Sequence, residues 1–268
     1  MPQVKARGRG VGSNSSGRFE AFKRSGVDDG WHREDEDLPV LKTHVTEESA
    51  RSIIARNMSP DISFDRSINP YRGCEHGCSY CYARPSHAYL GLSAGLDFES
   101  RLFAKTNAVE LLHKELGAKG YEPATIALGA NTDPYQPVER QYRLTRDILK
   151  VLNECNHPVG IVTKSALVTR DIDLLKPMAE KGLVKVAVSI TTLDHKLSRQ
   201  MEPRASAPGR RLQALELLSA SGIPTVAMTA PIIPAINDME IEKLLGAAQS
   251  AGAREAGYVL LRLPHELK

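Results

Sequence analysis

Three of the four cysteines of this chain fall within eight residues, as Cys74-x3-Cys78-x2-Cys81. Thiolates at that spacing can converge on one soft metal centre, because the short gaps let a loop curl round it. Gly73 and Gly77 sit where such a loop needs unusual φ or close backbone approach. Structural zinc takes four protein ligands, usually from two knuckles. No second knuckle exists here, so His76 or His87 would have to be the fourth ligand. A [4Fe–4S] cluster normally takes four thiolates, and three would leave one iron open to a small molecule. An open position belongs to reactive rather than structural metal sites. A disulfide framework is the third option, and one spare cysteine in a chain of this length speaks against it. Spacing alone leaves zinc and iron–sulfur open.

The elements that must carry this loop alternate between extended and helical patterns. Strands are expected at 67–71, 124–129, 158–163, 183–190, 225–229 and 258–263. Apolar residues at helical spacing predict helices over 108–116, 144–152, 171–181 and 209–220. Asn237 with Glu240 three residues on resembles a capping box ahead of a further helix. The series amounts to six β-α repeats, which suits parallel strands joined by right-handed helical crossovers. The fold class is therefore α/β, as an open sheet or a barrel. Either form gathers chemistry at the C-terminal strand ends, and the cysteine loop follows the first strand.

Composition is that of an ordinary globular protein, with 41% hydrophobic and 25% charged residues over 268 positions. A net charge of +3 is too small to argue for nucleic acid by itself. Clustered cysteines fit a reducing compartment better than secretion. The N-terminus has no apolar leader and no run approaches a membrane span, so a cytoplasmic location with no membrane is expected. Residues 1–26 carry six Lys or Arg against one Glu, and residues 28–37 carry six Asp or Glu against one Arg. Residues 1–40 read as a disordered basic-then-acidic tail, solvated or touching phosphates, with Trp31 as a candidate anchor, and 41–268 as the folded core.

The run Asn69-Pro70-Tyr71-Arg72-Gly73-Cys74, with Tyr80 before Cys81 and Cys81-Tyr82-Ala83-Arg84-Pro85-Ser86-His87 after it, resembles the cluster motif of radical S-adenosylmethionine (SAM) enzymes. Its flanks are similar to the branch of spore photoproduct lyase and DNA repair photolyase-like lyases. The resemblance covers about residues 40–268 and implies a partial (β/α)6 TIM-like barrel. It implies that Cys74, Cys78 and Cys81 hold a [4Fe–4S] cluster whose fourth iron binds SAM. It further implies that the backbone at Tyr80 and residues Thr132, Lys164, Ser189 and Ala230 contact SAM. Asp133 shares the Thr132 turn and is added, although an Asx turn before Pro134 would use the same residues locally. Lys164 follows an apolar strand, where lysines also snorkel outward.

Four arginines lie between 199 and 211. Arg204 suits the SAM carboxylate or a substrate phosphate, because its planar fork matches either anion. Arg210 and Arg211 at a helix start oppose the dipole unless they face an anion. One departure is informative: the lyases carry a hydrogen-donor cysteine where this chain has Ala130. Cys155, the remaining cysteine, is expected to be a small buried hydrophobe. Relatives of this pattern continue past the sixth strand, so a C-terminal extension is expected to be lacking.

The function implied is reductive cleavage of S-adenosyl-L-methionine to a 5′-deoxyadenosyl radical, with an electron from a flavodoxin- or ferredoxin-type donor. The substrate class implied is a modified or damaged nucleobase. The competing reading is a non-catalytic zinc- or iron–sulfur-containing nucleic-acid-binding protein.

Overall fold

A computed structural model describes residues 8–14, 19 and 41–264. Trp31 and most of the basic-then-acidic tail lie outside these residues. The chain first forms β1 (His44–Glu48), β2 (Ile54–Arg56), β3 (Arg66–Ile68) and β4 (Tyr71–Arg72), then α1 (Leu96–Ser100), β5 (Arg101–Lys105) and α2 (Ala108–Leu116). It continues through β6 (Ile126–Leu128), α3 (Glu139–Tyr142), α4 (Leu144–Glu154), β7 (Val159–Thr163), α5 (Ile172–Glu180), β8 (Val184–Ser189) and α6 (His195–Met201). It ends with α7 (Pro208–Ala220), β9 (Thr225–Ile232), α8 (Ile241–Ser250) and β10 (Glu255–Leu260).

The main sheet has the order β10-β9-β8-β7-β6-β3-β2. Its six strands from β3 to β10 are parallel and lie in chain order, and β2 adds an antiparallel edge on β3. Apolar runs such as Val159-Gly-Ile-Val-Thr163 and Val184-Lys-Val-Ala-Val-Ser189 are strands because helical crossovers must cover their core-facing side chains. Ile126, Ile161, Val186 and Val188 pack in one core with Leu112, Ile148, Leu152, Leu175, Met178, Leu215 and Leu218. Since the strands run the same way, their C-terminal ends share one edge of the sheet.

The first expected strand divides in two. The chain leaves the main sheet after Ile68, passes Asn69-Pro70, and Tyr71–Arg72 pairs antiparallel with β5 in a second, three-stranded sheet, β1-β5-β4. Proline cannot donate a ladder hydrogen bond, which favours a break there. This small sheet supports the cysteine loop from one side. The capping box does not form. The Asn237 amide donates to the carbonyls of Thr191 and Pro231, and Glu240 accepts from the Thr192 hydroxyl and the Leu193 amide. Both residues therefore brace the loop after β8. Cys155 is exposed at the end of α4, contrary to the buried position expected. No helix among the described residues is long and apolar enough to cross a membrane.

Candidate metal and cofactor site

The cysteine loop begins where β4 ends, and its backbone is fixed at several points. The Cys74 amide donates to the Phe98 carbonyl at 2.9 Å. Gln136 brackets the first cysteine, accepting from the Glu75 amide at 2.9 Å and donating to the Gly73 carbonyl at 3.0 Å. Gly73 and Gly77 adopt φ of +75° and +66°. A Cβ at Gly77 would lie 2.6 Å from Glu99 Oε2, so the turn requires glycine for both conformation and space. Arg84, fully buried, donates from Nε and Nη2 to the Cys78 carbonyl at 3.0 and 2.9 Å and pairs with Glu99 at 2.5 Å.

Cys74 and Cys78 are buried, Cys81 is partly so, and none is in a disulfide. Burial pushes all three thiols up. Neighbouring charge adds to this, from Asp133, Cys78 and Cys81 at Cys74 and from Glu202 at Cys78. A coordinated cation deprotonates such thiols outright. Among the described residues no group of three His, Cys, Asp or Glu is gathered round a single metal ion. His87, a candidate fourth zinc ligand, is buried against Phe98, with Nε2 2.9 Å from the Arg101 carbonyl. His76, the other, faces Asp133 at 3.3 Å. Three free thiols on one loop, not gathered tightly enough to share one ion, fit an iron–sulfur cluster, whose thiolates bind separate irons, better than tetrahedral zinc.

Opposite the loop stand the ends of β6 to β9. Lys164, straight after β7, donates from Nζ to Ser189 Oγ at 2.5 Å and to the Ala230 carbonyl at 3.1 Å, and lies 3.6 Å from Glu202 Oε1. Its ammonium also sits over the Tyr80 ring. Glu202, which sequence reasoning missed, is the hub of this group. Its buried carboxylate accepts from Thr191 Oγ1 at 2.6 Å, from the Tyr80 hydroxyl and from Arg211. Burial alone would raise the Glu202 carboxyl, but Arg211 and Lys164 hold it down to about 2. Arg211 is itself buried and also donates to the carbonyls of Ser206 and Ser189 at 2.6 and 2.9 Å. The anion that this arginine faces at the helix start is thus Glu202.

Tyr80, Lys164, Ser189 and Ala230 therefore share one hydrogen-bonded group. Asp133 adjoins it, accepting from the Lys164 amide at 2.6 Å and Thr163 Oγ1 at 2.7 Å. Burial would raise this carboxyl, yet His76 and those donors hold it below its ordinary range. Thr132 is turned away, donating its hydroxyl to the Tyr71 carbonyl at 2.9 Å. Arg204 stands apart as well, paired with Glu75 at 3.0 Å. Neither Glu202 nor Glu99 carries a local signal in the sequence, since each finds its partners across the fold.

A parallel α/β sheet thus carries a three-cysteine loop at the edge formed by its strand ends. Residues 68–248 match the Radical SAM superfamily, and the chain belongs to that superfamily. It is 38% identical over 194 residues to the uncharacterized protein Rv2578c of Mycobacterium tuberculosis, covering 72% of this chain and 57% of that protein. It is 34% identical over 173 residues to the uncharacterized protein MJ0683 of Methanocaldococcus jannaschii, covering 65% and 62%. The chain thus spans about three fifths of the length of these relatives. A spore photoproduct lyase mutant solved with bound AdoMet and dinucleoside spore photoproduct shares the fold, with a TM-score of 0.61 at 17% identity over 83% of this chain and 64% of that one. A spore photoproduct lyase complexed with dinucleoside spore photoproduct gives 0.57 at 17% identity, over 80% and 60%.

The Glu202 hub generates a stability prediction. Glu202→Leu strands Arg211 and Lys164 without their anion and should cost about 3–5 kcal/mol, measured by urea denaturation of metal-free protein. Adding Arg211→Met should recover about 2 kcal/mol or more, because a buried pair replaced by apolar groups is often neutral. Losses that simply add would contradict the pairing.

Proposed function

We propose that this chain is a radical SAM enzyme in which Cys74, Cys78 and Cys81 hold a [4Fe–4S] cluster beside a SAM site. The observation that carries this reading is the facing of three free, largely buried thiols by the polar ends of β6 to β9. When bound, the cluster and SAM supply a 5′-deoxyadenosyl radical by reductive cleavage of the sulfonium, with methionine as co-product. The protein's task is to position these groups and keep water away. The chain-ordered parallel strands support reading the sheet as a partial barrel whose mouth is this site.

Within it, the Tyr80 backbone and the Ala230 segment would flank the adenine. The Ser189 hydroxyl and Lys164 ammonium would meet ribose or carboxylate oxygens. Asp133 fixes the Lys164 backbone and would offer the negative charge for the methionine ammonium. Thr132 would act by holding that turn to Tyr71. Arg204 would reach the ligand only together with its partner Glu75. Glu202 keeps Lys164 and Tyr80 oriented before anything binds, which lowers the reorganisation required on binding. An electron from a flavodoxin- or ferredoxin-type donor and a cytoplasmic, reducing setting complete the proposal.

Anaerobic reconstitution with iron and sulfide, followed by dithionite and SAM, should yield 5′-deoxyadenosine and methionine. Cys78→Ala should reduce the yield to background. Product undiminished in that variant, or none from the parent chain, would sink the assignment.

For the substrate we propose a modified or damaged nucleobase within a polynucleotide. A cavity of about 320 Å³ beside the site is lined by Arg140, Arg170, Arg210, Thr169 and Ser206. The Ser206 amide donates to the Lys164 carbonyl at 3.3 Å, which sets this cavity behind the same strand end. Arg170 is paired with Glu139 and Asp171, whereas among the described residues the Arg210 side chain reaches only Gln213. The side chain of Arg140 has no hydrogen-bond or ion-pair partner among the described residues. Unneutralised arginines on a rim suit backbone phosphates. The bound dinucleoside of the spore photoproduct lyases points the same way, although Ala130 argues against their thymine-dimer route. The Ala130 carbonyl here accepts from the Tyr82 hydroxyl. Arg140→Glu with Arg210→Glu should weaken binding of single-stranded DNA and lower the slope of log K against log salt by about 1–2. An unchanged slope would rule out this surface.

A further inference from the structure

Part of the basic N-terminal segment, residues 8–14, is described and lies against α1 and the cysteine loop. The Gly10 and Val11 amides donate to Glu99 Oε2 and Oε1 at 2.9 and 3.2 Å. Arg9, only 5% exposed, donates to the Glu99 carbonyl at 2.7 Å, to the Leu41 carbonyl at 2.6 Å and to Thr43 Oγ1 at 3.1 Å. Farther along, Asn14 exchanges two hydrogen bonds with Asp97, each 2.9 Å, and the Leu96 amide donates to the Ser13 carbonyl. Three separate anchors in six residues fix the segment on α1.

Glu99 is fully buried and is the carboxylate that also pairs with Arg84. Arg84 in turn holds the Cys78 carbonyl, and Gly77 packs directly on Glu99. Gly77 of the Cys74–Cys78 turn therefore packs against both Glu99 and the Gly10 backbone, which are themselves hydrogen-bonded to each other. The fit at Gly10 is close: a Cβ there would lie 1.6 Å from the Gly77 carbonyl oxygen. Backbone cannot yield to that overlap, so any larger residue displaces the segment. Removing it would strip two donors from a buried carboxylate and uncover the outside of the cysteine turn. The segment also precedes residues 68–248, the part of the chain that matches the superfamily.

We propose that Arg9–Asn14 is a positioning strap that clamps the Cys74–Cys78 turn, fixing both thiols for the metal and shielding them from solvent. The thiols' role as cluster ligands rests on the function proposed above, whereas the clamp on the turn does not. Groups that orient metal ligands from behind commonly change metal affinity 10–100-fold when altered.

The test compares the parent chain with Gly10→Val and Arg9→Ala by iodoacetamide labelling of metal-free protein, resolved by peptide mass mapping. Cys74 and Cys78 should label about tenfold faster or more in Gly10→Val, as expected when a closed segment opens locally. Cys155, already exposed, should label at the parent rate and serves as the internal control. After reconstitution, a ferrous chelator should remove iron about tenfold faster from the variant. Equal labelling of Cys74 and Cys78 in parent and variants would overturn the strap. If Gly10→Val does not fold, Arg9→Ala decides by the same comparison. A parent chain that takes up no iron would overturn the cluster reading, and the labelling rates would still decide the strap.

Discussion

The buried carboxylate of Glu202 ties together four parts of the chain that are far apart in sequence. Arg211 comes from α7, Lys164 from the end of β7, Thr191 from the loop after β8, and Tyr80 from the cysteine loop. An ionised carboxylate in such a place is costly unless its charge is balanced and its lone pairs are filled. Two cations and two hydroxyls meet that demand. The same contacts set the height of the cysteine loop over the sheet edge, reinforced by the Ser79 amide on the Met201 carbonyl at 2.9 Å. Cysteine loop and strand ends are thereby one electrostatic unit rather than two surfaces that happen to face each other.

Glu99 does for the outer side of the loop what Glu202 does for the inner. Each is a buried carboxylate paired with a buried arginine, Arg84 in one case and Arg211 in the other. Arg84 grips the Cys78 carbonyl, and Arg211 grips the Ser189 carbonyl at the end of β8. The arginine forks thus convert two local ion pairs into backbone anchors, a use to which lysine is poorly suited. The loop's own sequence, short and glycine-containing, could not hold three thiols in place alone.

How much of this was legible in the sequence follows from range. Residues 159–163 and 184–189 read clearly as strands because core burial leaves continuous β-branched runs. Helices 108–116 and 209–220 read clearly because one face packs on the sheet. The strand expected at 258–263 lies at Glu255–Leu260, since β10 is a largely exposed edge with little apolar pattern. The split at Asn69-Pro70 and the strands of the second sheet were missed, being short and paired far along the chain. In the site, the cysteine spacing was visible because the ligands are local. Glu202 carries no local signal, and the anion expected opposite Arg211 has no name in the sequence, because their pairing depends on tertiary burial. Asn237 and Glu240 had cap spacing, but the loop after β8 took both side chains for its own backbone.

The central claim is that three cysteines hold a cluster with one iron left for SAM. Mössbauer spectroscopy of protein reconstituted with iron-57 tests it most directly. The account predicts a [4Fe–4S] signal in which adding SAM shifts one iron site and leaves the other three. Four irons indifferent to SAM, or a chain that binds zinc without sulfide, would contradict it.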